Sequence, residues 1–95
     1  MKQILFPLAS VALLLFAQPA FAGCYADYKA KQDSPLRLHY GVMQISGSCT
    51  AEAARGQIAS RLASHGWTLL NVITVFEDSG LEKRKANAGQ YFLRF

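Results

Sequence analysis

The chain carries few side chains that could do chemistry: Cys24 and Cys49, His39 and His65, six carboxylates, and ten lysines and arginines. Whether the two thiols pair depends on compartment, and the N-terminus speaks to that. Lys2 supplies a positive start and residues 4–17 an apolar run broken by Pro7 and Ser10. Ala20-Phe21-Ala22 then supplies the small-x-small pattern that precedes a cleavage point. Residues 1–22 therefore read as a cleaved secretory signal peptide, with 23–95 as the mature protein, periplasmic or secreted. The apolar run is shorter than the roughly 20 residues of a membrane-spanning helix; an uncleaved anchor is the rival reading.

In an oxidising compartment an even thiol count implies a disulfide, and Cys24–Cys49 is the one pairing within the chain. It closes a loop of about 25 residues, worth roughly 3–4 kcal/mol in the chain-entropy model. The spacing is not C-x-x-C, so nothing points to a thiolate stabilised for exchange, and the bond reads as structural. A sharper alternative is lipid anchorage through Cys24, since Phe21-Ala22-Gly23-Cys24 resembles a lipobox. Phe21 stands there where leucine is usual, and lipidation would leave Cys49 as an odd thiol.

The remaining candidates point away from catalysis. His39 and His65 fall on different elements without the H-x₃₋₅-H spacing of a metal site, so neither a metal nor another cofactor is predicted. No G-x-S-x-G elbow is present, and a Cys–His pair would need a free thiol. Glu77 and Asp78 are adjacent and read as turn residues rather than as carboxylates facing each other across a cleft. Lys83-Arg84-Lys85 is the one basic cluster. It is a candidate anion-binding site for phospholipid headgroups, lipopolysaccharide or an acidic protein, and its plainer reading is a solvated loop. Removing residues 1–22 takes away one lysine and no carboxylate, leaving a net charge of +3 on the 73 that remain. That is too little to suggest nucleic acid.

These side chains must be positioned by one small domain, near the lower size limit for a self-sufficient core. Residues 24–31 alternate, with Cys24, Ala26, Tyr28 and Ala30 on one face and Tyr25, Asp27, Lys29 and Lys31 on the other. That is a half-buried strand, and its lysines suit an edge. Residues 32–35 are turn chemistry, and 36–45 form a second strand whose hairpin register brings Cys24 near Met43. Thr50 is a helix N-cap with Glu52 in the first turn. A helix over 51–65 follows, with Ala51, Ala54, Ile58 and Leu62 as its apolar stripe. Gly66 closes it, and Gly56 would let it approach the sheet.

Residues 67–77, rich in β-branched and aromatic side chains and apolar on both faces, predict a central strand, with Trp67 buried at the junction. Residues 78–89 read as a polar connection and 90–95 as a short last strand. The fold class is α+β: a two-layer ββαββ sandwich, one helix on a mainly antiparallel sheet of up to four strands. The second sheet face is left uncovered, a surface for a homodimer or a protein partner.

The elements Gly66-Trp67-Thr68-Leu69-Leu70 and Gln90-Tyr91-Phe92-Leu93-Arg94 give the run 61–95 a resemblance to small bacterial domains of unknown function of the 4177 type. There a helix ends in Gly-Trp, a strand follows directly, and a short aromatic strand closes the chain. The mature chain as a whole resembles small exported uncharacterised proteins of Gram-negative bacteria. The resemblance implies a fold and a bacterial source but no activity. The sequence thus predicts a non-catalytic exported domain acting through protein contacts in the periplasm or envelope. An anion- or envelope-binding module using 82–85 is the alternative, and a small enzyme the third reading.

Overall fold

A computed structural model describes residues 23–95; the leader assigned to 1–22 lies outside the described residues. The chain runs β1 (Cys24–Gln32), β2 (Arg37–Ile45), α1 (Ala51–Ala63), β3 (Thr68–Glu77) and α2 (Glu82–Ala88). Short 3-10 turns at Asp78–Gly80 and Gly89–Tyr91 flank α2. The class is α+β, built on a three-stranded antiparallel sheet in the order β2-β1-β3. No helix among the described residues is long and apolar enough to cross a membrane.

The hairpin forms where turn chemistry demands it, but two residues out of the predicted register. Cys24 lies opposite Ile45 rather than near Met43, because four turn residues, Asp33 to Leu36, separate the strands. The helix begins as its cap dictates. Thr50 Oγ1 accepts the Ala53 N–H at 3.1 Å, satisfying one of the orphan donors of the first turn. It ends at Ala63 rather than His65. Gly66 takes φ +82°, and the Trp67 N–H then donates back to the Leu62 carbonyl at 2.9 Å. That positive φ is the conformation glycine adopts at least cost.

Ala54, Ile58 and Leu62 of α1 are fully buried against Ala26, Tyr28, Ala30 and Met43 of the sheet, with Trp67 buried beside them. Ala51 is exposed. Gly56 faces open space, so it does not serve close approach to the sheet.

Strand order departs from prediction. β1 is central, not an edge, and β3 is an edge, not central. The lysines of β1 mark its outer face, while Ala26, Tyr28 and Ala30 beneath are wholly buried. The two-sided apolar pattern of β3 has another cause: two irregularities in its register with β1, between Asp27 and Tyr28 and between Lys29 and Ala30. Each inserts an extra β3 residue, Ile73 and Leu70, as a bulge does. The inward residues are therefore Leu69, Val72 and Val75, opposite Ala30, Tyr28 and Ala26, and the period is three instead of two. None of the ten residues of β3 is fully buried.

The C-terminal third differs most. The polar connection contains α2, whose EKRKANA sequence is made largely of good helix formers. The predicted strand over 90–95 shrinks to one parallel bridge, Val42 with Phe92, beside a Leu93 N–H bond to the Val42 carbonyl at 2.9 Å. Leu93 at φ +55° turns the chain out of strand geometry. Among the described residues the four-strand ββαββ layout is thus three strands and two helices. The sheet face expected to be uncovered carries α2, packed on β2 and joined to β1 by the Arg84–Asp27 pair, while Val42 on that face meets Phe92 and Leu93.

Candidate functional site

The two cysteines meet. Cys24 and Cys49 are disulfide-bonded, with Cα atoms 5.7 Å apart, joining the start of the central strand to the residue before the Thr50 cap. The bond ties down the N-terminal ends of both β1 and α1. Glu77 lies opposite Cys24, and Asp78 accepts the Gly23 N–H at 3.2 Å, closing the same end of the sheet.

The basic cluster at 83–85 is split. On α2 rather than a loop, Lys83 and Lys85 are exposed, whereas Arg84 turns inward. Its Nε donates to Asp27 Oδ2 at 2.9 Å and its Nη1 to the Gly80 carbonyl at 2.7 Å, while its guanidinium covers the Phe76 ring at 3.9 Å. Tyr40 Oη donates to the same Asp27 oxygen at 2.8 Å. Burial, then the bond to Asp27, push the Tyr40 hydroxyl pKa up to about 12. This ion pair pins α2 to β1 and leaves two of the three cluster residues facing solvent.

His39 is enclosed by aromatic rings. Tyr91 stacks on it at 3.7 Å between centroids, and Trp67 meets it edge-on at 4.3 Å. Its Nε2 lies 3.0 Å from Tyr28 Oη, and its Nδ1 is buried without a partner. Burial disfavours the charged ring and lowers the pKa to about 4. His65, at the end of α1, places Nδ1 3.0 Å from the Arg61 carbonyl and packs on Phe95. The two histidines thus belong to the packing of the C-terminal segment. No group of three or more His, Cys, Asp or Glu side chains that could hold a metal occurs among the described residues.

A concavity lies elsewhere among the described residues, between α1 and the outer edge of β3. A groove of about 430 Å³ runs there, lined by Arg55, Ala59, Ala63, Trp67, Leu69 and Val72 among others. The helix contributes one face: Arg55, Ala59 and Ala63 recur every fourth residue, and two alanines in succession leave the space. The strand contributes an edge that is unpaired among the described residues, where β3 pairs with β1 alone. Its bulged residues Leu70 and Ile73 are about half exposed, at 49% and 45%. Sequence reasoning missed both Arg55 and this edge. The Leu69-Val72-Val75 spacing held the clue, being too long for a regular strand and too short for a helix.

No protein-family model matches the chain, and neither a curated protein nor a solved structure matches it; the functional reading rests on this geometry.

Proposed function

We propose that this is an exported protein of the periplasm or cell envelope that works without catalysis, by binding another protein. The observation that carries this reading is the open edge of β3: ten residues of strand with one side unpaired among the described residues and exposed Leu70 and Ile73 along it. Sheet edges present a row of free N–H and C=O groups that accept another chain. Between Thr68 and Phe76 the strand carries no lysine, arginine or proline to discourage such pairing. The disulfide supports the compartment, because such bonds persist where the surroundings are oxidising. The small-x-small site before Gly23 supports the export route.

The test is photo-crosslinking in an exporting Gram-negative host. The full chain would carry a crosslinking residue at Ile73 on the β3 edge or, as control, at exposed Glu52 on α1. Covalent protein adducts from Ile73 but not from Glu52, in the exported fraction, are the expected result. An exported chain that gives no adduct from Ile73, or equal adducts from both positions, would refute the reading.

A further inference from the structure

We infer that the hairpin end of the sheet, where Leu36, Leu38 and Leu70 stand beside Lys29, Lys31 and Arg37, docks the protein on an anionic phospholipid bilayer. The leucines would enter among the headgroups while the cations meet the phosphates. This goes beyond the protein-contact reading: it is a second surface, and its test is independent of adducts at Ile73.

The sheet face opposite α1 is only partly covered. α2 packs on β2 and reaches Asp27 of β1 through Arg84. Past Tyr40, toward the hairpin, the same face is open. Lys29, Leu38 and Leu70 are exposed there and border a trough of about 280 Å³. Leu38 and Tyr40 of β2 stand on one side of it and Leu70 of β3 on the other, with Lys29 of the central strand between. Leu36 and Leu38 are each 65% exposed, and no other large apolar side chain among the described residues is as exposed.

Charge selects the occupant. Lys29 and Arg37 are exposed and make no ion pair among the described residues, while Lys31 pairs with exposed Asp33 at 3.3 Å. A pair so exposed is worth little and exchanges readily for a phosphate. The hairpin end thus carries three cations to one carboxylate. Other carboxylates gather at the far end of the sheet. Glu77 lies opposite Cys24, Asp78 accepts the Gly23 N–H, and Glu52 and Glu82 open the two helices that start there. The length of β1, Cys24 to Gln32, separates the two ends by about 26 Å, well beyond a Debye length of roughly 8 Å at physiological salt. An anionic surface therefore attracts the hairpin end and turns the acidic end away.

The lysines favour lipid over a folded partner. Their ammonium groups ride on flexible apolar stems that lie along leucine while the charge rises to the headgroups. Such point charges, spread around apolar side chains, suit a fluid array of phosphates more than carboxylates fixed in place. Apolar insertion combined with cationic attraction is how peripheral proteins hold an anionic bilayer.

The test is co-sedimentation of the exported, oxidised protein with vesicles of phosphatidylglycerol alone or of phosphatidylcholine alone. Binding is expected to the first and not to the second, and added salt should weaken it. Lys29→Gln with Arg37→Gln should weaken it about thirtyfold. The same change of charge on α2, Lys83→Gln with Lys85→Gln, should weaken it far less. Leu36→Ser with Leu38→Ser should weaken it about tenfold or more. All these positions are exposed, so the variants should fold. The emission of a Leu38→Trp variant should shift to the blue on phosphatidylglycerol vesicles, against a steady signal from buried Trp67.

Equal binding to both kinds of vesicle, or to neither, would overturn the proposal and leave the protein-contact reading standing. An equal loss from the α2 pair and the hairpin pair would assign the attraction to net charge and overturn it as well. Binding without a blue shift at position 38 would overturn insertion of the hairpin. A crosslinking residue at Leu38 that gives discrete protein adducts and no lipid adduct in the exporting host would assign this end to a protein and overturn the proposal.

Discussion

Arg84 and Asp27 lie 57 residues apart in the chain, and their side chains meet at 2.9 Å beneath α2, only 15% and 6% exposed. The contact fastens the last helix to the central strand on the face opposite α1. A buried pair like this adds little net stability as a pair, but removing one partner strands the other charge. Arg84→Met is therefore expected to cost about 3 kcal/mol, read as a shift in the urea midpoint. Asp27→Asn in the Arg84→Met background should recover part of the loss. A single variant as stable as the parent would mean that solvent reaches Asp27.

The disulfide should be structural and closed in the native protein. Replacing both cysteines, Cys24→Ser with Cys49→Ser, removes the tie between β1 and the start of α1. The expected cost is some 2–5 kcal/mol, enough to unfold so small a domain in part at ambient temperature. Alkylation of the native protein without reductant should label neither sulfur; two labelled thiols would end the claim.

Stability should fall in mild acid. His39 carries a pKa of about 4, below its ordinary 6.5, because the ring is buried. Between these values the unfolded chain binds a proton that the folded one refuses. Unfolding free energy therefore rises with pH across that window. The contribution is complete above pH 6.5, is lost progressively down to about 4, and is flat below. Its ceiling is roughly 3 kcal/mol at ~1.4 kcal/mol per unit. Denaturation of the parent and of His39→Phe from pH 4 to 7 should show the slope in the first and its loss in the second. A shared slope would place the titrating group elsewhere.

Gly41 should tolerate no side chain. It faces Tyr28 across the β1–β2 ladder, and a Cβ there would lie 2.6 Å from Tyr28 Cζ. That ring is fully buried and hemmed in by His39, so it has little room to move. Gly41→Ala is expected to cost about 2–3 kcal/mol by overpacking. Thermal melting measures it, and an unchanged midpoint would show that the ring repacks freely.

What the sequence determined by itself was local. The turn between β1 and β2, the Thr50 cap, the Gly66 stop, the buried stripe Ala54-Ile58-Leu62 and the plausibility of the Cys24–Cys49 bond all depend on neighbours within a few residues or on one short loop. Steric and hydrogen-bond rules act directly at that range. The tertiary structure decided which strand took the centre, because that depends on which two edges best continue the buried face of Ala26, Tyr28 and Ala30. It also decided the bulges at Leu70 and Ile73, since a register irregularity exists only relative to a partner strand. Arg84 reads in sequence as one of three solvated charges; only the fold brings Asp27 to it and leaves Lys83 and Lys85 outside. The groove likewise has no counterpart along the chain. Arg55, Ala59 and the open edge of β3 become one surface only once α1 has packed across the sheet and left that edge unpaired.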